Sequence, residues 1–179
     1  MSRYCAIGLL RYLTMIALGI DPGTALCGYG IVRAVGDDYE LVACGAIATP
    51  AKTPLEFRLL KIYDELGAII RAYKPNTAAV EKLFFSRNTT TALSVGHARG
   101  VILLALAQAC LPLAEYTPNE IKQAVAGYGG ADKYQMQQMV RVLLRLDQAP
   151  KPDDAADAVA IALCHLQSAR LRELIDSQS

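Results

Sequence analysis

The hydrophobic pattern of this chain first changes period between residues 48 and 55, and that change limits the folds open to it. IALGI at 16–20 is a short β-rich run ended by Asp-Pro-Gly, a turn-forming triplet. GYGIVRAV at 28–35 and YELVACGAIA at 39–48 follow, with Gly36-Asp37-Asp38 turning the chain between them. Three runs joined by such short turns form an antiparallel meander. From residue 55 the spacing becomes helical: Leu55, Leu59, Ile62, Leu66, Ile69 and Ile70 make a stripe over 55–73, closed by Pro75. TAAVEKL at 77–83 then reads as a buried strand parallel to its neighbour, because the preceding helix is long enough to serve as the crossover.

The remainder continues the alternation. The pattern predicts a helix over 89–110, a short strand over 112–116, and a helix opened by Pro118 and capped by Thr117. GYGG at 127–130 breaks the chain before a helix at 132–145, and Pro150 and Pro152 precede a last helix at 153–172. The expected class is α/β: a mixed sheet with three antiparallel strands followed by parallel strands, and helices on both faces.

Two acids stand at or near the ends of strand-like runs. Asp21 closes GID, and Glu81 interrupts AAVEKLFF, where an uncompensated carboxylate is disfavoured beside an apolar core. Asp21 alone reads equally as a turn residue, and Glu81 alone as a strand-edge residue facing water. Two more, Asp154 and Asp157, lie three residues apart in KPDDAADAVAIA and so share a helix face. The positive end of the helix favours Asp153 and Asp154 there, but this effect fades after the first turn and leaves Asp157 unexplained. Convergence of Asp21, Glu81, Asp154 and Asp157 would create an all-oxygen site for Mg²⁺, with Mn²⁺ as a substitute. A pair of such ions roughly 4 Å apart serves phosphodiester hydrolysis without any strong base from the protein. Neither His97 nor His165 is needed for that chemistry.

Bulk composition narrows the setting. At 179 residues and 53% hydrophobic content, the chain makes one domain with a sizeable core. The formal charge is only +1, so nucleic-acid affinity must come from local arrangement. Residues 82–145 carry seven basic side chains against three acidic ones, which suggests a basic rim about an acidic centre. Within that stretch Lys133 follows GYGGAD and could reach a phosphate, and Lys122 lies one helix earlier; each is otherwise a solvated lysine. Phe84 and Phe85, followed by Ser86-Arg87-Asn88, offer a stacking surface and a basic loop, unless one phenylalanine is core. The five cysteines show no C-x-x-C spacing, which points to reduced core thiols and a cytoplasmic protein. The first fourteen residues read as an extension outside the core rather than a signal peptide, because Arg11 and Tyr12 interrupt the apolar run. No run is long enough to span a membrane. The expected partition is therefore an extension at 1–14, a nuclease domain at 15–172 and a tail at 173–179.

Several segments, in order, resemble the bacterial Holliday junction resolvases of the RuvC type: GIDPGTALCGYGIV at 19–32, VEKLFF at 80–85, VGHARGVILL at 95–104, PNEIKQAVAGYGGADKYQMQQMV at 118–140 and DDAADAVAIALCH at 153–165. The resemblance implies an RNase H-like fold and a homodimer that nicks opposing strands of four-way junction DNA. The nicks would carry 5′-phosphate and 3′-hydroxyl ends. It places the four catalytic, metal-binding acids on Asp21, Glu81, Asp154 and Asp157, and an active-site lysine on Lys133. Lys122 matches a DNA-binding position, Phe84 an aromatic that engages bases near the crossover, and Arg87 extends that loop. A branch-migration complex is the implied partner.

Without the resemblance, three other readings fit: a general RNase H-like nuclease on duplex or RNA–DNA hybrid, a non-catalytic junction-binding scaffold, and a sugar-kinase or actin-like phosphate binder. The last needs a second related domain, for which the length leaves little room. A scaffold gains nothing from clustered carboxylates.

Overall fold

The computed structural model describes residues 15–82 and 89–176, with 89–91 as backbone alone. The expected extension at 1–14 lies outside the described residues, as do Phe84 and Arg87. The chain forms β1 (Ile16–Asp21), β2 (Leu26–Val35), β3 (Asp38–Ala48), α1 (Leu55–Tyr73), β4 (Thr77–Glu81), α2 (Thr89–Gln108), β5 (Leu113–Tyr116), α3 (Pro118–Ala126), α4 (Lys133–Leu143) and α5 (Asp153–Asp176). The strands make one sheet in the order β3-β2-β1-β4-β5. β1–β2 and β2–β3 pair antiparallel, while β1–β4 and β4–β5 pair parallel. This is the mixed sheet expected from the change of period.

Alternation along the strands sorts residues between two cores. Leu18, Ile20, Ile31, Ala78 and Val80 pack with Ile62, Leu66 and Ile70 of α1 and with Ile102 and Leu106 of α2. Ala17, Val32, Ala34 and Ala79 turn the other way, toward α3, α4 and the buried side of α5. Helices therefore cover both faces, as the sequence suggests. Of the expected α1 stripe, Ile62, Leu66 and Ile70 are buried, whereas Leu55 stands at the surface.

Local chemistry sets the helix ends that matter for the site. Thr117 caps α3 in a reciprocal box: its side chain accepts from the Glu120 amide at 3.2 Å, and the Glu120 carboxylate accepts from the Thr117 amide at 2.7 Å. Asp132 and Gln135 make the equivalent box at α4, so Lys133 is its first helical residue. α5 runs four residues beyond the expected end at 172, because no Gly or Pro stops it before Asp176. Its last turns expose Leu171, Leu174 and Ile175. Of the cysteines expected in the core, Cys27 and Cys164 are buried, Cys44 is half-buried and Cys110 is exposed. Among the described residues, no helix is long and apolar enough to cross a membrane.

Candidate metal and phosphodiester site

Strand parity brings the first two acids together. Ile20 and Val80 are paired on the adjacent parallel strands β1 and β4, and Asp21 and Glu81 follow them. Both acids share the parity of Ala17 and Ala79, so both face the α5 side. On the other edge of β1, Asp21 pairs with Gly28 of β2, over which the backbone of Asp154 passes. α5 thus descends onto the sheet at the ends of β1 and β4, carrying Asp154 and Asp157 toward Asp21 and Glu81.

The turn that follows Asp21 is held by buried hydroxyls. Thr24 Oγ1 donates to the Ser94 carbonyl of α2 at 2.6 Å, and Ser94 Oγ donates back to Thr24 Oγ1 at 2.8 Å. The Thr49 hydroxyl donates to the Thr24 carbonyl, and Arg58 Nε of α1 donates to Thr49 Oγ1 at 2.8 Å. Thr24 and Thr49 are each only 5% exposed, so these bonds fix the turn against both helices of the opposite face.

Electrostatics shows the acids acting on one another. Burial pushes the Asp21 carboxyl up to about 7, reinforced by Glu81, then Asp157, then Asp154, while Lys133 pulls the other way. Burial also raises Glu81, with Asp157 adding to the shift and Lys122 opposing it. Asp157 is raised by burial against the pull of Lys133. Three separate elements therefore deliver mutually repelling carboxylates to one place. Among the described residues, no three such groups are drawn tightly enough to enclose an ion as they stand. The donor set nevertheless suits a hard divalent cation: it is all carboxylate oxygen, and its charge exceeds what the neighbouring ammonium offsets.

Asp21, Glu81, Asp157, Lys122, Lys133 and Met136 line a cleft of about 250 Å³ between the sheet, α3, α4 and α5. A larger cavity of about 470 Å³ opens between α1 and α2, but Asp64 is its single carboxylate, so it lacks this chemistry. Lys133 Nζ lies 3.0 Å from Asp153 Oδ2 and 3.7 Å from Asp157 Oδ2. Gln137 Nε2 donates to the other Asp153 oxygen at 3.0 Å. The Asp153 carboxylate, which the positive end of the helix favours, also holds the lysine at the cleft mouth. Sequence reasoning missed Asp153 and Gln137 as its supports. The available signal was the spacing of Asp153 and Asp157, four apart and so on one helix edge.

The predicted basic rim is partial. Lys122 and Lys133 line the cleft, and Lys82 follows Glu81 directly. Arg99 instead pairs with Glu115, and Arg145 reaches Asp38 at 2.8 Å, at the far end of β2 and β3. His165 is buried away from the cleft. Its Nε2 lies 2.8 Å from Thr77 Oγ1 and its Nδ1 2.9 Å from the Tyr116 hydroxyl, and burial holds it down at about 4.

The sequence and fold are similar to those of known proteins. The family model described as "Crossover junction endodeoxyribonuclease RuvC" matches residues 17–165. A crossover junction endodeoxyribonuclease RuvC from Desulfitobacterium hafniense is 59% identical over 157 residues, covering 88% of this chain and 95% of its own. One from Chloroflexus aggregans is 61% identical over 155 residues, covering 87% and 94%. The solved structure of Thermus thermophilus RuvC in complex with a Holliday junction substrate superposes with a TM-score of 0.85 at 37% identity, over 89% of this chain and 97% of that one. Matches of this breadth bear out the RNase H-like sheet that the motifs implied. The chain belongs to the RuvC family of crossover junction endodeoxyribonucleases.

Proposed function

We propose that this protein resolves four-way DNA junctions as a homodimer, by Mg²⁺-dependent hydrolysis of phosphodiesters on opposing strands. The observation that carries the reading is the convergence of Asp21, Glu81, Asp154 and Asp157 from two strands and one helix beside a single lysine-edged cleft. The family supplies the junction and the dimer; the site supplies the chemistry. Asp21, Glu81, Asp154 and Asp157 would hold the divalent cation, two ions in the fullest form of the reading, with Mn²⁺ able to replace Mg²⁺. Such a cation offsets charge on the phosphate and makes an attacking water more acidic.

The residues around it have separable tasks. The four carboxylates bind and orient the cation. Lys133, steadied by Asp153 and Gln137, presents its ammonium to a non-bridging phosphate oxygen as charge accumulates there. Lys122, whose charge acts on Glu81, contacts a neighbouring phosphate and fixes register rather than sequence. Phe84 and Arg87, three and six residues past Glu81, are assigned to the unpaired bases and the backbone at the crossover. The nicks leave 5′-phosphate and 3′-hydroxyl ends, and a cytoplasmic branch-migration complex delivers the junction.

A cleavage assay on a synthetic four-way junction, a linear duplex and an RNA–DNA hybrid, each with and without Mg²⁺, tests this. Symmetric junction nicking only with Mg²⁺ is expected. Equal cutting of linear duplex, or nicking in chelator, would sink it.

A further inference from the structure

Gly28 has an absent side chain that matters to the cleft. A Cβ built there would overlap the Asp154 carbonyl oxygen, and would sit 2.6 Å from its carbonyl carbon and 3.2 Å from its Cβ. The two nearest of these neighbours are backbone atoms of the first turn of α5, so they cannot swing away as a flexible side-chain tip would. Gly28 is also the strand partner of Asp21. Gly28 therefore sets how near the helix turn bearing two of the acids comes to the strand beside Asp21, as Gly19 and Gly30 do for the turns that follow. Its backbone needs no special freedom, since among the described residues the positive-φ glycines are Gly36 and Gly127. What β2 requires at 28 is the missing volume.

We infer that Gly28 is a positioning residue for the metal site: its bare Cα lets α5 seat close enough for Asp154 and Asp157 to share a cation with Asp21 and Glu81. This rests on the reading that those four acids hold Mg²⁺. A methyl at 28 would lift the first turn of α5 away from β2 while leaving every carboxylate chemically intact. The expected defect is thus weaker metal capture rather than lost DNA contact. Ala155, fully buried and one turn before Val159, whose Cα lies over Gly30 of β2, is the matching lever from the helix side, because a larger side chain on that face pushes α5 from the sheet without altering β2.

The test measures Mg²⁺ binding by calorimetry, alongside the Mg²⁺ midpoint for junction cleavage and junction affinity in chelator. Gly28→Ala is expected to raise both Mg²⁺ values at least about tenfold, the scale on which outer supports of a metal site act. Junction affinity should be unchanged. Leu166→Ala, which hollows α5 at a fully buried position three turns away, serves as the comparison. It should lower thermal stability and leave the Mg²⁺ midpoint where it is. If Gly28→Ala does not accumulate folded, Ala155→Val carries the same expectation. A folded Gly28→Ala or Ala155→Val protein that binds Mg²⁺ as wild type does overturns the inference. So does a midpoint that moves equally in Leu166→Ala. Asp157→Asn separates the two levels: wild-type Mg²⁺ binding in that variant would overturn the metal-site reading itself rather than the role of Gly28.

Discussion

The two faces of the sheet differ in the size of what the strands present. Toward α1 and α2, the central strands offer Leu18, Ile20, Ile31 and Val80, which interlock with Ile62, Leu66, Ile102 and Leu106. Toward α5 the same strands offer Ala17, Gly19, Gly28, Gly30 and Ala79, and then the acids Asp21 and Glu81. Large aliphatics bury more apolar area per residue, so each of these strand residues on the first face contributes more hydrophobic stability than its small counterpart on the second. Small residues bury little but bring the helix backbone close, so the second face sets positions. Stability and chemistry are separated by the parity of the strand residues.

The sharpest way to break this contrast is at the acids. Asp21→Asn or Asp157→Asn should reduce junction cleavage by about 10³-fold or more, roughly 4 kcal/mol of lost transition-state stabilisation, with binding largely kept. Normal Mg²⁺-dependent nicking by both variants would remove the assigned site. On the opposite face, Ile62→Ala should cost about 3 kcal/mol in chemical denaturation and leave the Mg²⁺ midpoint of cleavage unchanged. A shifted midpoint there would show that the faces are not separable.

Lys133→Ala sharpens the comparison within the acid-bearing face. It should slow single-turnover cleavage by about 10²-fold while changing junction affinity far less. An affinity loss as large as the rate loss would make Lys133 a binding residue only.

The smallest effect concerns His165, which lies on the α5 side yet outside the cleft. Its neutral ring bridges Thr77 and Tyr116, and Arg172 adds positive charge nearby. Because its folded value is depressed to about 4 from 6.5, the unfolded chain binds the extra proton first as acidity rises. The stability it contributes is complete above pH 6.5 and is lost as pH falls toward 4, by about 3 kcal/mol. Denaturant midpoints of wild type and His165→Gln, compared from pH 7.5 to 4, should converge at the acid end. Parallel curves would assign the ring no part in acid sensitivity.

Much of this face was legible before any coordinates. The change of period located β1 to β3 and α1, and the acids at the ends of apolar runs marked Asp21 and Glu81, because charge beside a core carries a visible penalty. The spacing of Asp154 and Asp157 placed them on one helix face. What periodicity could not report was contact across long sequence separations. The pairing of Lys133 with Asp153 spans two helices, and Arg145 sits in the basic stretch yet folds away to Asp38. Gly28 was unreadable for a different reason. A glycine in a strand signals close approach by something, but not what approaches. The RuvC motifs supplied the four-way substrate, which no single residue of the cleft specifies.

The order of the acids along the chain has a consequence for synthesis. Asp21 and Glu81 emerge early, while Asp154 and Asp157 arrive only with the last helix, which also fills one core of the fold. A nascent or truncated chain that stops before residue 154 holds half of the carboxylates and lacks the element that seats them. On the proposed reading of the four acids, metal-dependent cutting is therefore tied to completion of the last helix.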